Sequence, residues 1–185
     1  TVTALNERPQ VALVIGAGDA TGGAIAKRFA AGGMMAAVTR RKRESLDELV
    51  SEIEGEGGSA HGFGCDARDE VAVIELFETI ERDIGDISVV VFNIGANVWF
   101  PIAETTERVF RKVWEMAAFA GFLAGREAAK AMQQRKRGTI IFTGATASIR
   151  GAAGFAAFSS AKFALRALAQ SMARELGPQG IHVAH

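Results

Sequence analysis

Apolar residues fall along this chain in short runs that alternate with stretches of helical spacing. Val11-Ala12-Leu13-Val14-Ile15 is continuous, mostly β-branched or bulky, and closed by glycine, as a strand buried on both faces requires. Ala24 to Ala30 then has helical spacing, and Met34 to Thr39 reads as a second strand. Glu44 to Glu54 predicts a charge-rich helix, Ala60 to Phe63 a short strand, and Asp69 to Asp83 a helix. Ile87 to Phe92 is a fourth strand, Thr105 to Gln133 a long helix, and Thr139 to Thr143 a fifth strand. Phe155 to Leu176 is a helix with a stop signal at Gly177-Pro178, and Ile181-His182-Val183 opens a sixth strand. Strict alternation of strand and helix predicts an α/β fold, a doubly wound parallel sheet with helices on both faces. No repeat or linker interrupts it, so residues 1–185 are expected to form one domain. The pattern stops as its sixth strand opens, so the expectation is a domain truncated or incomplete in its C-terminal strand region.

The turn after the first strand carries the first chemistry. Gly16-Ala17-Gly18-Asp19-Ala20-Thr21-Gly22-Gly23 joins a buried strand to a helix. Glycines there permit positive φ and let backbone approach a pyrophosphate, while the helix N-terminus offers N–H groups to an anion. A lone glycine-rich turn is a weak signal. At the end of a first strand, ahead of alternating elements, it points to a dinucleotide. The second strand runs into Arg40-Arg41-Lys42-Arg43, with no acid before Glu44. An acid at this place binds ribose hydroxyls, whereas an arginine pairs with a 2′-phosphate. Arg40 first, and Arg41 second, therefore favour NADP(H) over NAD(H).

Composition narrows the setting. The 21 basic and 21 acidic side chains cancel, which gives no support for nucleic acid or an anionic membrane as partner. A single cysteine, Cys65, leaves no internal disulfide and fits a reducing, cytoplasmic setting. Apolar runs are too short for a membrane span, and residues 1–10 lack the order of a signal peptide. His61, His182 and His185 lack metal-ligand spacing, so no metal site is expected. Cys65 reads as a packed thiol rather than a catalytic one. Trp99-Phe100-Pro101 follows the fourth strand, where it either lines a substrate mouth or packs a loop.

Together these segments resemble the short-chain dehydrogenase/reductase family, whose fold is Rossmann-like. Its Thr-Gly-x-x-x-Gly-x-Gly fingerprint corresponds to Ile15 through Gly22, with Gly16 and Gly22 matched, Ala20 at the middle glycine and an added Gly18. The resemblance implies that Gly18, Asp19, Ala20 and Thr21 hold the pyrophosphate. Cys65-Asp66-Ala67 is similar to the family's Asp-Val, implying an adenine contact through the Asp66 carboxylate and the Ala67 backbone. Phe92-Asn93-Ile94-Gly95 resembles the Asn-Asn-Ala-Gly that ends the fourth strand, with Asn93 and Gly95 matched. Asn93 either steadies the sheet edge beside a cofactor or is purely structural. Phe158-Ser159-Ser160-Ala161-Lys162 resembles the Tyr-x-x-x-Lys signature.

The same resemblance exposes a departure. The family's tyrosine transfers a proton as hydride moves, its lysine lowers the phenol pKa and holds the nicotinamide ribose, and a serine and an asparagine complete the relay. Lys162 is present, but the tyrosine, serine and asparagine positions are Phe158, Ala145 and Ala117. The chain contains no tyrosine, so no shift of alignment restores one. Thr146 and Ser159 are the neighbouring hydroxyls. Three functions stay open: an NADP(H)-dependent oxidoreductase on a carbonyl or alcohol, an NADP(H)-binding sensor or interaction subunit, and a structural subunit. The glycine turn and Arg40 argue against the last. Ala117, Ala118, Ala120, Gly121, Ala124 and Gly125 permit close helix contact, and the resemblance implies a homodimer or homotetramer through this helix and Phe155–Leu176.

Overall fold

The computed structural model describes residues 8–185. Most of the segment 1–10, on which the signal-peptide reading rests, lies outside those residues. Six parallel strands form one sheet in the order β3-β2-β1-β4-β5-β6. They are β1 (Gln10–Ile15), β2 (Met35–Arg40), β3 (Ser59–Gly64), β4 (Asp86–Phe92), β5 (Gly138–Phe142) and β6 (Ile181–Ala184). The strand order reverses between β1 and β4, and the carboxyl ends at such a switch point form a crevice.

Side-chain alternation sends each strand to two cores. Leu13, Ile15, Val90 and Phe92 pack on one face beneath helices α3 (Glu70–Thr79), α5 (Ala120–Gln133) and α6 (Ala156–Leu176). Val14, Ala36 and Val38 pack on the other against α1 (Thr21–Ala31) and α2 (Asp47–Gly55). Burial on both faces explains why β1 reads as unbroken apolar sequence: Val11 through Ile15 are at most 1% exposed.

Every expected element forms, with changes of detail. The helix expected over Glu44–Glu54 begins as a tight turn, Arg43–Leu46, because Ser45 bonds the Lys42 carbonyl through both its backbone N–H and its hydroxyl. The expected stop at Gly177-Pro178 ends α6 at Leu176, and a separate short helix follows it. Gly177 stays helical at φ −54°, Pro178 fits the first turn of the short helix Gly177–Gln179, and Gly180 ends it at φ +81°. The long helix expected from Thr105 starts two residues later, at α4 (Glu107–Trp114), where Thr106 caps Val109 N–H. It then passes through one wide π turn, Glu115–Phe119, before continuing as α5.

The stripe of small residues has a use within the chain. Ala120, Ala124 and Gly121 face β4 and α6, not solvent. The outward side of α4 and α5 carries Phe110, Trp114 and Phe122 instead. A Cβ on Gly121 would stand 2.4 Å from Leu165 Cδ1 and 3.3 Å from the Phe92 ring. Both neighbours are at most 1% exposed and have nowhere to retreat. Gly121→Val is expected to cost about 1–3 kcal/mol, read as a lower urea midpoint at unchanged m-value.

Candidate cofactor and active site

The β1–α1 turn is fixed by backbone contacts. Gly16 takes φ +88°. Gly16 and Ala17 N–H donate to the Thr39 carbonyl at 3.3 and 3.0 Å, tying the turn to β2. Asn93 ties it to β4: its N–H donates to the Ile15 carbonyl at 2.8 Å and its Nδ2 to the Gly16 carbonyl at 3.1 Å. On Gly22 a Cβ would stand 2.3 Å from the Gly16 oxygen, so α1 approaches the turn this closely only with glycine there. Ala20 at the N-cap offers no acceptor, so no side chain caps the opening N–H groups of α1.

Beside this turn lies a cavity of about 310 Å³. Gly16, Gly18, Arg40, Arg41, Asp66, Ala67, Asn93 and Gly95, all expected from the sequence, line it together. Asp19 and Ala20 border an adjoining cavity with Lys27 and Ser45. Thr21 and Gly22 open α1 and line neither. Cys65 also lines the main cavity; burial pushes its thiol pKa up to about 11, so it stays protonated at neutral pH.

Thr39, Cys65, Arg68, Ile94 and Met116 line it without having been expected as site residues, and of these Arg68 and Met116 lie outside the sequence motifs. Arg68 meets Asp66 with two side-chain bonds, Nε to Oδ1 at 2.9 Å and Nη2 to Oδ2 at 2.6 Å. That pairing, ahead of the Arg68 backbone bond, holds the Asp66 carboxyl below its ordinary pKa. Only the i,i+2 spacing Asp66–Arg68 hinted at it. Met116 reaches the cavity from the π turn. Arg40 donates through Nη1 to Asp19 Oδ1 at 3.0 Å and to the Ser45 carbonyl at 3.3 Å. Arg41 is exposed and forms no ion pair among the described residues.

Toward β5 and β6 stands Lys162, 3% exposed. Its Nζ donates to the Thr143 carbonyl at 3.0 Å and lies 5.9 Å from the centre of the Phe158 ring. Burial pushes its pKa down. Phe158 is buried, and Ala117 packs in the π turn within an apolar cluster with Val113, Ala157 and Ala161. Ala145 is exposed, and its N–H donates to the Ser148 hydroxyl at 3.0 Å. Of the two neighbouring hydroxyls, Thr146 is exposed and that of Ser159 is buried without a hydrogen-bond partner among the described residues.

His185, weighed from the sequence only as a metal ligand, belongs to this neighbourhood. Its ring fills the space of the side chain Gly144 lacks, with Cε1 2.6 Å from where a Cβ would stand. Burial, then the charges of Lys162 and Arg166, push its pKa down. The contact joins residues on separate elements, which no sequence spacing reveals. Trp99 packs its indole over Gly154, and Phe100 N–H donates to the Gly154 carbonyl at 2.8 Å. The loop after β4 is thus fastened to the loop before α6, while Trp99 stays 60% exposed.

Among the described residues no helix is long and apolar enough to cross a membrane. Residues 10–185 match the family model described as short chain dehydrogenase. Human dehydrogenase/reductase SDR family member 4 is 31% identical over 175 residues, covering 94% of this chain and 63% of that protein. This chain therefore spans less than two thirds of the length of that relative. Gluconate 5-dehydrogenase of Gluconobacter oxydans is 31% identical over 172 residues, 93% of this chain and 67% of that protein. Among solved structures, a short-chain dehydrogenase from Rhodopseudomonas palustris superposes with TM-score 0.93 at 56% identity, covering 96% of this chain and 84% of that one. An NAD+-bound xylitol dehydrogenase superposes with TM-score 0.91 at 28% identity, over 97% of this chain and 70% of that one. A parallel sheet reversing at β1 and β4, a glycine turn at the reversal and a family match over nearly the whole length lead to one assignment: this chain belongs to the short chain dehydrogenase family of oxidoreductases.

Proposed function

We propose that this protein is an NAD(P)(H)-dependent oxidoreductase that prefers NADP(H) and acts on a small carbonyl or alcohol. One observation carries the reading: the cavity at the carboxyl ends of β1, β2 and β4 gathers the glycine turn, Arg40, Arg41 and Asp66 around one space. Gly18 to Gly22 and the uncapped start of α1 hold the pyrophosphate. Arg40 and Arg41 face the adenosine 2′-phosphate. Asp66, with Ala67, receives the adenine, and Arg68 orients the Asp66 carboxylate through two bonds. Asn93 keeps the turn in place through the Gly16 carbonyl, and Gly95 leaves the crevice open. When bound, the nicotinamide supplies or accepts the hydride.

Lys162 is the one polar residue retained at the family's catalytic positions. Its buried ammonium, held by Thr143, has further N–H groups to offer a ribose. Phe158 neither gives nor takes a proton, so this chain favours turnover by position more than by proton transfer. The apolar trio Phe158, Ala145 and Ala117 favours a second reading, a nucleotide-binding sensor or interaction subunit with little turnover. The outward Phe110, Trp114 and Phe122 on α4 and α5, with Phe163 on α6, suit a homodimer or homotetramer. The single buried thiol, Cys65, suits a reducing cytoplasm.

Fluorescence titration with NADPH and NADH, followed by a carbonyl screen, tests the proposal. NADPH is expected to bind more tightly. Tighter NADH binding sinks the Arg40 and Arg41 argument, NADPH binding without turnover leaves the second reading, and failure of both nucleotides to bind sinks both readings. Gly22→Ala, which drives a methyl into the Gly16 carbonyl, is expected to weaken both nucleotides at least about tenfold, with a stability loss of about 1–3 kcal/mol. The paired change Phe158→Tyr, Ala145→Ser is expected to raise turnover by about 10²-fold or more, the scale of a positioned acid. Unchanged steady-state rates in a variant that still binds NADPH would show that more than these two groups is missing.

A further inference from the structure

The turn that faces the pyrophosphate also contains a carboxylate, and it points at Arg40. Asp19 Oδ1 accepts from Arg40 Nη1 at 3.0 Å, and the Ser45 carbonyl accepts from the same nitrogen at 3.3 Å. The Asp19 side chain is 92% exposed, so it is free to meet a ligand or to swing away. On its far side the adjoining cavity is acidic, with Glu48 and a Lys27–Glu52 pair at 2.7 Å. On the near side stand Arg41 and Arg68, which line the main cavity. Asp19 therefore sits on the boundary between the two fields.

We propose that Asp19 is a specificity-determining residue that balances NADPH against NADH by counter-charging Arg40 where the adenosine ribose carries its 2′ group. This deepens, and rests on, the nucleotide site proposed above. A ribose 2′-hydroxyl donates to the Asp19 carboxylate and leaves the Arg40 pair intact. A 2′-phosphate carries about −1.5 to −2 charges and only accepts. It must take Arg40 from Asp19 while lying beside that carboxylate. Arg41, which acts on Asp66 only at longer range and forms no ion pair among the described residues, still attracts it. The preference for NADPH thus exists but is narrow, and the chain uses both nucleotides.

The test measures dissociation constants of NADPH, NADH, 2′,5′-ADP and ADP for the full chain, for Asp19→Asn and for Asp19→Ser. The two ADP species isolate the adenosine end. Removing the carboxylate is expected to tighten NADPH and 2′,5′-ADP by about three- to tenfold at low salt, the scale of an exposed charge pair. NADH and ADP are expected to stay level or weaken. The gain shrinks in 0.5 M salt, where the Debye length is only about 4 Å. A ratio of NADPH to NADH affinity that stays within twofold of the parent in both variants overturns the proposal while leaving the nucleotide site standing. A parent chain that binds none of the four overturns the site itself. Unchanged melting temperatures in the variants exclude a folding effect, as the exposure of Asp19 leads one to expect.

Discussion

The carboxyl edge of this sheet depends on one close approach, between the Gly16 carbonyl and the start of α1. Gly22 lets the helix come within a distance at which a methyl would stand 2.3 Å from that oxygen. The same oxygen accepts from Asn93 Nδ2, and Asn93 is itself bonded through its backbone to the last residue of β1. The helix, β1 and β4 are therefore locked at one point, the point where the strand order reverses. A bulkier residue at Gly22 moves the helix axis and with it the N–H groups that face the crevice. Asn93 was read from the sequence as either steadying the sheet edge beside a cofactor or purely structural, and the turn it bonds is the turn that borders the cavity.

Electrostatics divide this edge into regions of different character. Near β2 and β3 it is crowded with charge: Arg40 with Asp19, Arg68 with Asp66, and Arg41 exposed beside them. Near β5 and β6 charge is sparser, with the buried Lys162 ammonium 5.9 Å from the Phe158 ring and acting on the His185 imidazole. Recognition of a charged ligand end and of a less polar one suits this division. It also explains why the strongest sequence signals concern binding.

The fold was legible because burial on two faces leaves a sequence trace that no other arrangement leaves. Val11 to Ile15 could scarcely be anything but a central parallel strand. The end of α6 was legible at Gly177-Pro178, but the short helix after it was not, because Gly177 and Pro178 are each compatible with one more tight turn, which closes at Gly180, whose missing Cβ clears the Lys136 carbonyl. The glycine turn, Arg40 and Asn93 could be found because each is local to a strand end. Arg68, Met116 and His185 could not be placed from spacing in the same way. Their places depend on an ion pair across a turn, a π turn in a helix, and packing between β6 and the segment after β5. The small-residue stripe on α5 showed the converse limit: spacing gave close packing correctly but not against which partner.

Lys162 poses an energetic question of its own, apart from the chain's having no tyrosine. An ammonium with 3% exposure is costly to bury, and its lowered pKa records that cost. Because the folded pKa lies below the unfolded one, the charged form opposes folding at neutral pH, and the penalty fades only as pH rises through that interval. Among the described residues no carboxylate pairs with it. Thr143 satisfies one of three N–H groups, and the ring of Phe158 lies at the outer limit of a useful cation–π contact. A neutral side chain would fold more easily here. Two ribose hydroxyls would supply acceptors the protein itself does not, which is what the proposed cofactor brings. On that argument the lysine is explained by binding alone, and the chemistry at Phe158 becomes a separate question from whether the nucleotide binds.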